Sequence, residues 1–307
     1  MKIQYSIVIP TRNRSQYLTT CCKEIHAQLQ GNKITEVIVI DDGSPKKTAD
    51  QNRSICEKYG CQYTYQSNRG MAVARNTGIA QCTGKWVIFL DDDVLIANGW
   101  FVSMMRLLPA LPESVAGIEG MVEGTGDGVW DREVQNLEGG AFLTCHLAVR
   151  RDTLIKMGGF DTAFEKLGPF CEDHELAARL LKKGEVKFDT TIKVTHLPRN
   201  VHLLKYLFKA PSRISGLLKA DCYFYCRHPH DYQRFRHAKT FAGTCYSILF
   251  KNVFQNLKRR PLSRLAAHPC QSATLIVAAL IEQVVAWLLL PVVLKNYWTM
   301  MANKKEI

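Results

Sequence analysis

Short aliphatic, β-branched runs alternate with longer stretches of helical spacing through the first two-thirds of the chain. Residues 6–9, 36–40 and 86–90 are nearly continuous apolar runs, the pattern of strands buried on both faces, and 61–66 alternates as a half-buried strand does. Between them, 15–30, 48–59 and 70–80 carry apolar residues at helical intervals. Strand–helix alternation at this period predicts a doubly wound, mostly parallel α/β sheet. Further along, a helix is expected from Gly99-Trp100 to about Leu108, then a Gly-rich stretch over 117–128, a strand over 141–149, a helix over 172–183 and a last strand over 186–195.

Composition adds a boundary. With 47% hydrophobic and 22% charged residues in 307, the chain is globular, which excludes a disordered, collagen-like or polytopic membrane protein. Residues 1–198 are nearly neutral, with 23 Lys and Arg against 24 Asp and Glu, whereas 199–264 hold 14 against two, Asp221 and Asp231. Two parts are predicted: an α/β domain over 1–198 and a basic, largely helical extension over 199–307. A charge excess so confined points to a local polyanion contact and away from a nucleic-acid-coating surface.

The apolar run before Pro10 is too short for a secretory signal, and eleven cysteines without regular spacing fit a reducing, cytoplasmic compartment. Cys222, Cys226, His228 and His230 are crowded and lack a second ligand pair at finger-like spacing. Residues 272–294 are long and apolar enough to cross a bilayer. Glu282 at their centre costs about 2.5–3.5 kcal/mol there, and both flanks are cationic. A helix lying at the membrane surface or a shallow hairpin with 240–257 fits these charges better than a crossing, a core or dimer-interface helix is the other reading, and a true span is left open.

In open parallel sheets ligands bind beyond the carboxyl ends of the strands. Those ends read Pro10-Thr11, Asp41-Asp42-Gly43-Ser44 and Asp91-Asp92-Asp93. The first turn is Arg12-Asn13 rather than a glycine-rich loop, so a nicotinamide enzyme is disfavoured. Three adjacent acids repel one another, and a hard cation such as Mg²⁺ or Mn²⁺ relieves that repulsion; in extended chain Asp91 and Asp93 share one side. Asp41 and Asp42 suit either hydrogen bonds to a nucleotide or the capping of a turn. Asn68 and Gly70 suit a turn into a helix whose start favours anions, with Arg75 positioned for a phosphate or for the acids. Glu172 and Asp173 open a helix, as dipole partners or as a proton acceptor. His196 ends a strand, as a structural residue or a metal ligand.

In this order, Ser6–Arg14, Asp41–Ser44, Asn68…Gly70…Ala74-Arg75-Asn76…Gly78, Asp91–Asp93 and Gly158-Gly159-Phe160-Asp161…Glu172-Asp173 resemble family 2 glycosyltransferases of the GT-A fold, over roughly residues 3–198. The resemblance implies a UDP-, GDP- or dTDP-type nucleotide-sugar donor, Mn²⁺ or Mg²⁺, and transfer with inversion. It implies a nucleotide-sugar site formed by Pro10, Thr11, Arg12, Asp41, Asp42, Asn68, Arg75, Asp91 and Asp92, and a metal held by Asp91, Asp93 and His196. Asp173 would be the base, supported by Glu172. The expected acceptor is a glycan or a lipid-linked hydroxyl in cell-envelope synthesis, reached at the inner face of the membrane through 199–294. Direct transfer to a polyprenyl phosphate is the alternative within the enzyme class. An inactive transferase-like protein that binds membrane or nucleic acid is the alternative outside it.

Overall fold

Every side chain of β1 (Tyr5–Thr11) and β4 (Trp86–Leu90) is buried, as strands covered by helices on both faces must be. The computed structural model describes residues 2–125, 134–168, 170–198, 208–235, 240, 242–243 and 269–302. β1 sits between β2 (Thr35–Asp42) and β4, and β3 (Gln62–Gln66) flanks β2, all in parallel register. α1 (Ser15–Leu29), α2 (Lys46–Tyr59) and α3 (Met71–Gln81) supply the crossovers. Ile7, Ile9, Val39 and Ile88 face one apolar cluster, and Val8, Ile38, Ile40, Val87 and Phe89 face the other. The side-chain alternation of a strand divides the two layers in this way.

The eight strands run in the order β3-β2-β1-β4-β7-β6-β8-β5. Beyond β4, β7 (His146–Arg150) pairs antiparallel with both β4 and β6 (Val115–Gly124). β8 (Glu185–His196) then runs parallel to β6 and antiparallel to the short β5 (Val94–Ile96). α4 (Trp100–Ala110), α5 (Arg151–Met157) and α7 (Glu172–Leu180) complete this part, and α6 (Phe164–Leu167) begins in it and ends in the second compact unit.

Two local expectations change, and one stretch without an expected element takes a definite form. Most of the Gly-rich stretch is strand β6, because a Cβ on Gly120 would lie 2.0 Å from the His146 ring. The glycine is there for close packing, not for a loop. The strand expected over 141–149 is strand only from His146, since Phe142 adopts φ 52°. The expected helix over 172–183 ends at Leu180, and 181–183 turn back on it through Lys183 N–H donating to the Leu180 carbonyl at 2.8 Å.

The described residues fall into two compact units, the second holding α8 (Ala210–Arg227), α9 (Tyr232–Phe235) and α10 (Pro269–Ala302). Ile214, Leu218, Cys222 and Cys226 of α8 pack with Ala286, Leu289 and Tyr297 of α10. Cys222 and Cys226 therefore belong to a helix–helix seam. Apart from 240 and 242–243, the hairpin partner considered at 240–257 lies outside the described residues, as does most of the basic segment.

Candidate active site

β1, β2 and β4 end along one edge, with Thr11 in register with Asp41. Asp41 is fully buried. Its carboxylate accepts from Ser44 N–H at 2.9 Å, Asn52 Nδ2 at 2.8 Å and the Tyr63 hydroxyl at 2.9 Å. It is committed to the turn that follows β2. Asp42 accepts from Gln66 Nε2 at 2.7 Å and from the backbone N–H groups of Arg69 and Gly70 at 2.8 Å. Gly43, at φ +82°, brings the two turns together: a Cβ there would stand 2.5 Å from Asn68 N. Arg12 and Asn68 are exposed at this rim, and Pro10 is buried within β1.

The acid triplet forms a turn, and its three carboxylates take different partners. Asp91 pairs with Arg75 Nη2 at 3.0 Å. Asp92 accepts from Thr11 Oγ1 at 2.7 Å and from Arg14 Nη1 at 3.0 Å. Asp93 reaches the same Arg14 nitrogen at 2.9 Å through Oδ2, and its Oδ1 lies 3.4 Å from His196 Nε2. The cross-strand pair Val94–His196 brings that imidazole in from the far end of β8. His196 Nδ1 must donate to the Leu197 carbonyl 2.9 Å away, since a carbonyl only accepts, and this turns Nε2 toward the acids.

Ligand atoms of Asp91, Asp93 and His196, all buried, lie within 4.8 Å of one another. Among the described residues this is the one such cluster. Two carboxylates and an imidazole suit Mn²⁺ and are compatible with Mg²⁺. Burial pushes the Asp92 carboxyl up to about 6, against the pull of Arg14 and Thr11.

Arg75, on α3, is 1% exposed and joins this cluster to the start of α7. Its Nη1 stands 3.6 Å from Glu172 Oε1, and its guanidinium lies over the Phe160 ring at 5.5 Å. Nε and Nη1 make no hydrogen bond, an unusual state for a buried cation. Burial and then the neighbouring Asp173 push the Glu172 carboxyl up to about 7, with Arg75 opposing. The partly exposed Asp173 accepts its own helix's His174 N–H at 2.8 Å. Its charge is felt at Arg75.

A carboxyl whose folded value is raised stabilises the fold below its unfolded value, near 4.3, and loses that contribution as pH rises through the folded value. Glu172→Gln is expected to lie within about 0.5 kcal/mol of the wild type in urea unfolding at pH 4 and to exceed it at pH 8 by at most about 3 kcal/mol, metal-free. Equal curves at both pH values would show that burial does not strain this acid.

The edge thus brings together Thr11, Arg75, Asp91, Asp92, Asp93, Glu172 and His196, while Asp41 braces the turn behind them. Two participants were given no role by the sequence. Arg14 sits at the end of the first turn and grips Asp92 and Asp93 across 78 and 79 residues. Glu165 accepts the Ala72 N–H at 2.5 Å, so the anion at the start of α3 is supplied by the chain itself. Only the Ser6–Arg14 element, in which it stands last, contained the first.

Residues 6–163 match glycosyl transferase family 2. The minor teichoic acid biosynthesis protein GgaB of Bacillus subtilis is 30% identical over 108 residues, covering 33% of this chain and 12% of that protein. The pre-mycofactocin glycosyltransferase of Mycobacterium tuberculosis is 28% identical over 214 residues, 62% of this chain and 42% of that one. The chain thus spans less than half the length of these curated relatives. Among solved structures, the mannosyltransferase PcManGT from Pyrobaculum calidifontis, in complex with GDP-Man and Mn²⁺, superposes with a TM-score of 0.58 at 17% identity, over 92% of this chain and 88% of that one. S. aureus TarS 1–349 in complex with UDP-GlcNAc gives 0.53 at 15%, over 92% and 91%. The fold is that of the GT-A glycosyltransferases.

Proposed function

The chain belongs to glycosyl transferase family 2, and from that premise we propose an inverting, metal-dependent transferase that moves a sugar from a nucleoside-diphosphate donor to a glycan or lipid-linked hydroxyl. The observation that carries the proposal is the convergence of Asp91, Asp93 and His196 within 4.8 Å beside a buried Arg75 whose Nε and Nη1 make no hydrogen bond. Asp42, together with Thr11 and Pro10 at the end of β1 and the rim residues Arg12 and Asn68, holds the nucleoside. Arg75 and Asp92 border the diphosphate. Mn²⁺ or Mg²⁺, when bound at Asp91, Asp93 and His196, supplies charge neutralisation for the departing diphosphate.

The chain's own residues do the rest. Asp173 accepts the proton of the attacking hydroxyl as its oxygen bonds to the anomeric carbon. The bond from that carbon to the diphosphate breaks in the same displacement, and its electron pair leaves on the β-phosphate oxygen. One in-line displacement inverts the anomeric centre and needs no enzyme nucleophile. Glu172, clamped by Arg75, fixes the start of α7 and hence the base. The charge of 199–264 and the apolar length of α10 favour work at the inner face of the cell membrane, in cell-envelope or surface glycan synthesis.

A screen of nucleotide-sugars for hydrolysis tests the reading, alongside thermal stabilisation by UDP, GDP and dTDP, each with Mn²⁺. One nucleotide is expected to raise the melting temperature by several degrees with metal and by far less in EDTA; a hundredfold excess over Kd corresponds to about 2.7 kcal/mol. No response to any of the three would remove the donor assignment.

A further inference from the structure

Glu282 is the residue that makes 272–294 a poor membrane segment by sequence, and the structure turns it inward. It is 4% exposed and ion-paired with Arg213 of α8. Leu275, Ala278, Ala279 and Ala286 share its buried side. The opposite side of α10 is apolar and open over more than five turns: Val277, Leu280, Val284, Trp287, Leu288 and Trp298 are 44–73% exposed. Trp287 and Trp298 are eleven residues apart, three helical turns, and so point the same way.

That face belongs to a unit whose sequence from 199 to 264 is overwhelmingly cationic, and the complementary apolar surface with negative charge is an anionic bilayer. The companion helix decides the orientation. α8 lies alongside α10 and carries Lys219 and the exposed Arg227. A crossing would draw these cations toward the hydrocarbon at about 2.5–3.5 kcal/mol for each that reached the centre. We infer that α10 lies in the plane of an anionic membrane, with its Val277–Trp298 face in the acyl boundary, Glu282 neutralised by Arg213, and α8 on the water side. The inference rests on the membrane-face reading above and adds how the chain is seated there.

Tryptophan depth tests it. The full chain is added to phosphatidylcholine–phosphatidylglycerol vesicles with bromine near the headgroup end or near the middle of the acyl chains. Trp287→Phe and Trp298→Phe separate the two signals. A lying helix quenches both residues more with the shallow bromine, at the same ratio. A crossing helix would place them about 16 Å apart in depth, with Trp287 quenched by the deep bromine and Trp298 by the shallow one, which would overturn the inference. Absence of quenching together with a concentration-dependent dimer in light scattering would assign the face to a second copy and overturn it equally. Val284→Lys with Leu288→Lys, checked for native helicity, is expected to reduce vesicle flotation by about tenfold. Unchanged flotation would mean that basic charge alone holds the protein. Donor hydrolysis in detergent is read separately, so its failure bears on the transferase reading and not on this one.

Discussion

Asp93→Ala is expected to abolish metal-stimulated donor turnover, lowering kcat/KM by a factor of about 10³ or more, while the protein still folds. Asp93 offers one carboxylate oxygen toward His196 and the other to Arg14, so its loss takes away both a ligand and the group that fixes the imidazole's partner. Several kcal/mol of charge stabilisation on the leaving diphosphate depend on that set. The fold is spared because Arg14 keeps Asp92 at 3.0 Å and one of three repelling acids is gone. Manganese binding followed by electron paramagnetic resonance should weaken in parallel, and the metal-dependent part of nucleotide stabilisation should vanish. Full turnover in EDTA, in wild type or variant, would defeat the assignment.

Asp173→Asn separates binding from chemistry. The amide keeps the shape and can still accept the His174 N–H that the carboxylate holds at 2.8 Å, so the start of α7 should persist. It cannot take a proton from the acceptor hydroxyl. Transfer should therefore fall by about 10²–10⁴ in kcat, with nucleotide-dependent thermal stabilisation unchanged. Loss of that stabilisation would instead mark Asp173 as part of the donor pocket. Retained transfer would move the base elsewhere, with the neighbouring Glu172 the first residue to test.

The parallel half of the sheet was legible because burial on both faces leaves little except aliphatic residues, and the runs at 6–9, 36–40 and 86–90 sit inside β1, β2 and β4. β6 was not, because a glycine needed to admit the His146 ring looks the same in sequence as one needed for a turn. At the site, the acid triplet announced itself by its own repulsion. Which carboxylate does what depended on partners far off in the chain. Asp41 and Asp42 are adjacent and chemically identical, yet Asn52 and Tyr63 close around the first while backbone N–H groups of the next turn meet the second. Arg14 lay within a motif but had no periodicity to reveal its reach, and Glu165 meets Ala72 from 93 residues away.

That last contact orders events on the ribosome. The helix bearing Arg75 has its first turn completed by a carboxylate made 93 residues after Ala72, and the aspartates at 91 and 93 meet their imidazole only with residue 196. A nascent chain that has emerged through Asp93 carries the acids with Arg14 and Arg75 but without the imidazole of His196. The pocket is assembled late in synthesis, and an amino-terminal fragment ending before Glu165 lacks both the cap and the histidine.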